Sequence, residues 1–199
     1  MKTEQINSLL LEGTVTGNRG TIELVETHIS WVLMGQEYVY KIKKPVHYSF
    51  LDFSSLEKRK FYCEREVELN NRLTEGIYLD VLAVKNKDGQ YGIGDPSGEL
   101  IDYAVKMIRM DSRKQMDCLL LKNQVTHRDL ENLAEKMALF HQKTTIISQK
   151  DQRDIQTKFR DLAKEQEYLC GVGHREYGAI IDEAVKKSDA FHEKYWSLI

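Results

Sequence analysis

The 199-residue chain has no apolar run near the roughly 18 residues that a membrane-spanning helix needs. Its start, MKTEQINSLLLEG, has no long apolar core and no small-residue cleavage site, so it does not read as a secretory leader. It has few cysteines, and Cys63, Cys118 and Cys170 are odd in number and widely separated. That excludes a CxxC motif and leads us to expect reduced thiols in a cytoplasmic protein. Six histidines are scattered without metal-ligand spacing. No charge sign dominates: 29 basic against 31 acidic side chains give no reason to expect a nucleic-acid or membrane partner. Repeats and low-complexity tracts are absent. GNRG at 17–20 lacks the lysine and the length of a P-loop, so it reads as a turn.

The remaining sequence divides into a β-rich part and a helical part. Residues 1–12 predict a short helix with Ile6, Leu9 and Leu10 on one side. Residues 21–44 are rich in β-branched and aromatic side chains. They predict strands at 21–26, 29–34 and 37–43, with a hairpin turn at Met34-Gly35-Gln36-Glu37. A helix follows from Ser54 or Ser55 to about residue 73, and the pair Ser54 and Glu57 fits a capping box. Strands are expected again at 78–85 and 91–94, turning at Asp88-Gly89, and at 100–108. From Asp111 the pattern is helical almost to the end, with one break at Cys170-Gly171-Val172-Gly173. The expected organisation is a β-rich lobe over 1–106, a hinge at 107–112 and a helical part over 113–199.

His127, Arg128, Asp129 and Leu130 stand in the order of a kinase catalytic loop, H-R-D-L-x-x-x-N. The loop needs its Asn five residues after the Asp, and here Asn132 follows after three. Leu130, Leu133, Ala134, Met137, Phe140 and His141 instead follow the spacing of an amphipathic helix, capped by Thr126 or Asp129. The match is a capped helix.

Other residues carry a sharper signal. In EYVYKIKKP, 37–45, alternation puts Tyr38, Tyr40 and Ile42 on one strand face and Val39, Lys41 and Lys43 on the other. A lysine inside an apolar strand needs a charged partner or costs stability. In the following helix, Tyr62, Glu66, Leu69 and Leu73 share one stripe, so Glu66 lies among apolar neighbours. Lys41 and Glu66 are therefore expected to pair, with Glu64 as the competing choice. Of Lys43 and Lys44, at least one is expected to be solvated.

VETHISWVLMGQEYVYKIKKPV, FLDFSSLEKRKFYCEREVELNNRL and YLDVLAV together resemble the N-terminal part of the bacterial aminoglycoside phosphotransferase-like family. DYAVKMIRM and LAEKMALFHQK resemble its hinge and following helix, so the resemblance covers roughly residues 20–143. It implies an α+β, protein-kinase-like fold: a small antiparallel sheet with one pairing helix, a hinge, and the first helices of a helical lobe. It further implies that ATP and Mg2+ are the cofactors and that an unidentified small molecule is the phosphate acceptor. Lys41 would contact phosphate and Glu66 would hold Lys41. Glu26, Thr27, His28, Ile29 and Ser30 would form the loop over the phosphates, although that loop has no glycine. Met107 through Met110, Arg109 included, would be the hinge that meets the adenine edge.

The family's C-H-G-D-L-H-x-x-N catalytic motif is not found, and His174-Arg175-Glu176 has no Asp in the needed place. On the resemblance the chain stops short of the base and the metal ligands. AFHEKYWSLI then reads as a helix cut in mid-course, with Phe191, Tyr195, Trp196 and Leu198 needing cover. Self-association is expected from that. Two functions follow: the nucleotide-binding portion of an ATP-dependent phosphotransferase, or a non-catalytic kinase-like module that binds nucleotide or a partner protein. An unrelated α+β binding domain would leave the Lys and Glu unexplained.

Overall fold

A computed structural model describes residues 1–48, 50–95, 97–145, 153–171, 173 and 176–195. Helix α1 (Thr3–Glu12) leads into a two-residue strand β1 (Thr14–Val15), and a run of antiparallel strands follows. These are β2 (Glu23–Glu26), β3 (Ser30–Met34) and β4 (Tyr38–Lys43). A small separate ladder pairs β5 (His47–Tyr48) with β6 (Leu51–Asp52). Helix α2 (Leu56–Asn70) precedes β7 (Tyr78–Lys87), β8 (Gln90–Ile93) and β9 (Glu99–Ile108). The main sheet has seven strands in the order β1-β8-β7-β9-β4-β3-β2. The α+β class holds. The sheet is larger than the small antiparallel one expected, and it is mixed, because β1 runs parallel to β8.

Alternation along the strands builds the core. Trp31 lies opposite Ile42 and Leu33 opposite Tyr40. These four, with Ala104, Val84 and Ile93, form one apolar cluster with Ile6 and Leu9 of α1. Helix α1 packs near β8, whereas α2 lies against β7 and β9.

The turns follow from local chemistry. Gly35 N–H donates to the Tyr38 carbonyl at 2.9 Å, closing the β3–β4 hairpin where it was expected. Asp88 (φ 52°) and Gly89 (φ 92°) both sit in the left-handed region, as a two-residue hairpin loop between Lys87 and Gln90 requires. Strand β2 begins two residues later than expected. Its partner β3 ends at Met34, opposite Glu23, so Thr21 and Ile22 have no strand to join. Ser55, not Ser54, caps α2 by accepting from Lys58 N–H; the Ser54 hydroxyl and N–H are taken by Asp52 instead.

The helical reading beyond Asp111 needs further breaks. A 3-10 turn (Ser112–Lys114) leads to α3 (Met116–Leu121). Asn123 takes φ 51°; its N–H reaches the Leu120 carbonyl and Gln124 N–H reaches Leu119. This pair of bonds ends α3 because Asn tolerates the left-handed conformation. Helix α4 (His127–Lys143) starts in a reciprocal cap: the Thr126 hydroxyl accepts from Asp129 N–H, and the Asp129 carboxylate accepts from Thr126 N–H. Asp129 is therefore spent on a helix end, and HRDL is not a catalytic loop.

Residues Met1–Thr144 form one unit and Thr145–Ile199 a second. The second contains α5 (Arg153–Phe159), α6 (Leu162–Gly171) and α7 (Glu176–Tyr195). Within it, Asp189 of α7 accepts from Arg160 and from Gln156. Gly171 closes α6 and Gly173 is left-handed (φ 100°), while Val172, His174, Arg175, Trp196 and Leu198 lie outside the described residues. No helix among the described residues is long and apolar enough to cross a membrane.

In the first unit a wholly buried carboxylate draws two cations to one point. Asp102 of β9 accepts from Arg59 Nε of α2 at 2.9 and 3.1 Å, and its Oδ2 lies 2.5 Å from the Met1 ammonium. Arg59 also donates to the carbonyls of Phe53 and Ser54. Removing one member of such a group strands the others in a low-dielectric interior. Asp102→Ala is expected to lower the unfolding free energy by about 3–5 kcal/mol, measured by urea titration. A loss under about 1 kcal/mol would mean that water screens the group as it does on a surface.

Candidate functional site

The site grows from the alternation of β4. Tyr40 and Ile42 point into the core and are fully buried, which turns Lys41 and Lys43 to the opposite face. There α2 presents a line of Arg59, Cys63 and Glu66 at helical spacing, with Arg59 and Cys63 buried. Tyr62 and Leu69, expected on the buried stripe, are exposed at its edges. Glu66 nevertheless faces the sheet, while Glu64 is exposed and pairs with Lys60 at 3.7 Å.

Glu66 holds both lysines. Lys41 Nζ lies 2.9 Å from Oε1, and Lys43 Nζ lies 2.6 Å from Oε2. The three side chains differ in access: Lys41 is 29% exposed, Glu66 14% and Lys43 5%. The Lys43 ammonium also sits 4.9 Å from the centre of the Phe53 ring. Burial alone would raise the Glu66 carboxyl, but the hydrogen bonds from Lys43 and Lys41 outweigh it and hold the group below its ordinary value. Next to it, burial pushes the Cys63 thiol up to about 12, so it stays protonated and takes no part in thiolate chemistry.

A cleft of about 670 Å³ is lined by neighbours of this cluster along β4 and α2, though not by Lys41, Lys43 or Glu66 themselves. Met34, Val39, Met107, Ile108 and Met110 give it apolar walls, Asn70 at the end of α2 and Thr74 beyond it border it, and Asp111 and Lys114 add charge. Val39 stands two residues before Lys41 on the same strand face, and Asn70 stands one turn after Glu66. The charged cluster therefore stands one strand step beyond Val39 and one helical turn before Asn70, two residues of the cleft wall.

The other expected residues fall as follows. Met107 and Met110 line the cleft. Arg109 does not: its N–H donates to the Glu37 carbonyl at 2.8 Å and its guanidinium to the Gly35 carbonyl at 2.7 Å. The N–H and C=O of Met110 have no hydrogen-bond partner among the described residues and remain open to a ligand edge. His28 is exposed at the β2–β3 turn. Ser30 is the first residue of β3, fully buried, and its hydroxyl has no partner among the described residues. The expected solvation of Lys43 or Lys44 is overturned. Lys43 is buried on Glu66, and Lys44 pairs with Glu26 at 2.5 Å, 5.4 Å from the centre of the Trp31 ring.

Two contributions escaped the sequence. One is Lys43 as the second partner of Glu66; the other is the Arg59–Asp102 contact. Each had a signal. Asp102 interrupts the apolar run of β9 just as Lys41 interrupts β4, and Arg59 precedes Glu66 by seven residues, about two helical turns.

No family model and no solved structure matches the chain. It is similar to an uncharacterized protein of Mycobacterium bovis and to uncharacterized proteins of two strains of Mycobacterium tuberculosis. Each is 32% identical over 122 residues, covering 61% of this chain and 23% of the relative. The matched region therefore spans about a quarter of the length of those curated relatives.

The lowered Glu66 carboxyl predicts a pH signature. A group whose folded value is depressed stabilises fully above its unfolded value, and loses that contribution as pH falls through the folded one. Urea midpoints of the wild type and Glu66→Gln should differ clearly near about pH 7 and converge on acidification below about pH 4. A gap that stays constant across this range would show that the ion pairs contribute nothing to stability.

Proposed function

We propose that this chain is the nucleotide-binding portion of an ATP-dependent small-molecule phosphotransferase of the aminoglycoside phosphotransferase-like, protein-kinase-like type. The observation that carries the reading is the Lys41–Glu66 pair, whose strand and helix neighbours Val39 and Asn70 line a cleft with apolar walls. In kinases a lysine on the third strand is oriented by a glutamate of the following helix and contacts the nucleotide phosphates. Here a hairpin (β2–β3) is followed by the lysine strand β4, and α2 supplies the glutamate. The cleft supports the reading as well. Its apolar walls suit a flat base, and Met110 offers a free N–H and C=O for the base edge.

The residues fit a nucleotide better than they fit a metal. No group of three or more His, Cys, Asp or Glu is gathered among the described residues to hold an ion. In this reading Mg2+ would be held by the phosphates rather than by side chains among the described residues, and the chemistry it would supply is charge neutralisation. Lys41 supplies fixed charge and orientation, which are the main demands of phosphoryl transfer.

The second reading, a non-catalytic kinase-like module that binds nucleotide or a partner protein, draws on one observation. Thr27 N–H donates to the Ser30 carbonyl, and Ser30 N–H to the Thr27 hydroxyl, so two N–H groups of the turn expected to cover the phosphates are already used. Such a turn grips phosphate less than a glycine-rich loop does.

Titration calorimetry with ATP, with and without Mg2+, tests the proposal. Binding is expected, and Lys41→Ala should weaken it about tenfold or more, the effect of losing one charge-assisted contact. Absence of binding by the folded chain would favour the module that binds a partner protein.

A further inference from the structure

The charged cluster holds two lysines and one glutamate, so it carries one positive charge in excess. No second acidic group pairs with either lysine among the described residues. The excess is unevenly placed. Lys43 is 5% exposed, with its ammonium on Glu66 Oε2 and against the Phe53 ring, so no ligand can reach it. Lys41 is 29% exposed and holds the other carboxylate oxygen. If Lys41 were the only partner of Glu66, the pair would be neutral, and an incoming anion would meet the carboxylate as well as the ammonium. With Lys43 bound from the buried side, Glu66 is already compensated, and the charge of Lys41 acts outward undiminished.

Lys43 is placed to do this by strand geometry. It lies two residues after Lys41 on the same face, so the two ammonium groups approach Glu66 from adjacent positions of one strand. A lone lysine buried this deeply would lose its charge or destabilise the fold; here the carboxylate at 2.6 Å keeps it paired. The β2–β3 turn spends two of its N–H groups internally and Lys44 is paired with Glu26, so Lys41 is the more accessible cation of the cluster.

We infer that Lys43 is a positioning residue for anion binding: it neutralises Glu66 from within, so that Lys41 presents a full positive charge to the phosphate groups of a nucleotide. This rests on the reading of the cleft as a nucleotide site. Lys43 touches no ligand and acts through Glu66 and Lys41.

The test compares ATP with adenosine, which occupies the base pocket but has no phosphates. Affinities are measured by calorimetry on the 199-residue chain, with folding checked by circular dichroism. Lys43→Met is expected to weaken ATP about tenfold while leaving adenosine unchanged, because only the phosphates sense the lost charge. A role confined to holding the fold would weaken both ligands together, and that result would overturn the inference. The double variant Lys43→Met with Glu66→Gln removes one charge of each sign and restores the excess on Lys41. It should recover most of the preference for ATP, and it remains informative if Lys43→Met does not fold. Failure of the double variant to recover that preference would also overturn the inference. Lys41→Ala separates the two ideas. If ATP binding is indifferent to Lys41→Ala, the nucleotide reading itself fails. If it responds to Lys41→Ala but not to Lys43→Met, only the role of Lys43 fails.

Discussion

Charge brought inside the first unit has to be paired, and Asp102 is where that constraint is most severe. Its carboxylate is wholly buried, and it gathers the Arg59 guanidinium and the Met1 ammonium. Three separate pieces of chain are tied there: Met1 ahead of α1, helix α2 and strand β9. About two helical turns beyond Arg59, Glu66 makes a second attachment, to β4. Two ion clusters at this spacing set both the rotation of α2 and its position along the sheet. An apolar interface would tolerate a small slide of the helix; directional contacts to fixed carboxylate oxygens do not. The geometry of Glu66 at the candidate site therefore depends on a contact that is not part of that site.

The site itself separates two kinds of physics. Apolar side chains from β3, β4 and β9 shape the cleft, and non-directional burial there favours a flat, weakly polar group. The charge of the Lys41–Glu66–Lys43 cluster is held by three side chains with graded access to water. The gradation matters, because the least accessible lysine compensates the glutamate and the most accessible one is left facing outward. Arg109 contributes by occupying the carbonyls of Gly35 and Glu37, fastening the end of β9 to the β3–β4 hairpin. Met110, two residues past the sheet, keeps both its N–H and its C=O without a partner among the described residues.

Local features were legible wherever short-range chemistry decided them. The Asp88-Gly89 loop, the Gly35 hairpin, the start of α4 and the two-sided pattern of β4 all follow from residues within a turn of each other. The pairing of Lys41 with Glu66 was legible too, because each stood as a charge on a face that needed a partner. Less legible were β1, β5 and β6, which are too short to show a period, and the break after α3, which one left-handed Asn produces.

By itself the sequence determined the α+β class, the main strands and α2, and the demand that Lys41 and Glu66 each find an opposite charge. Hydrophobic periodicity and the cost of unpaired charge act along the chain, so they can be read from it. Tertiary structure alone decided that Glu66 takes two lysines, that Asp102 takes Arg59 and the Met1 ammonium, and that Arg109 turns away from the cleft. It also decided that β1 joins the sheet in parallel. Those choices depend on which strands become neighbours and on how α2 is rotated over them, and no spacing within one element encodes either.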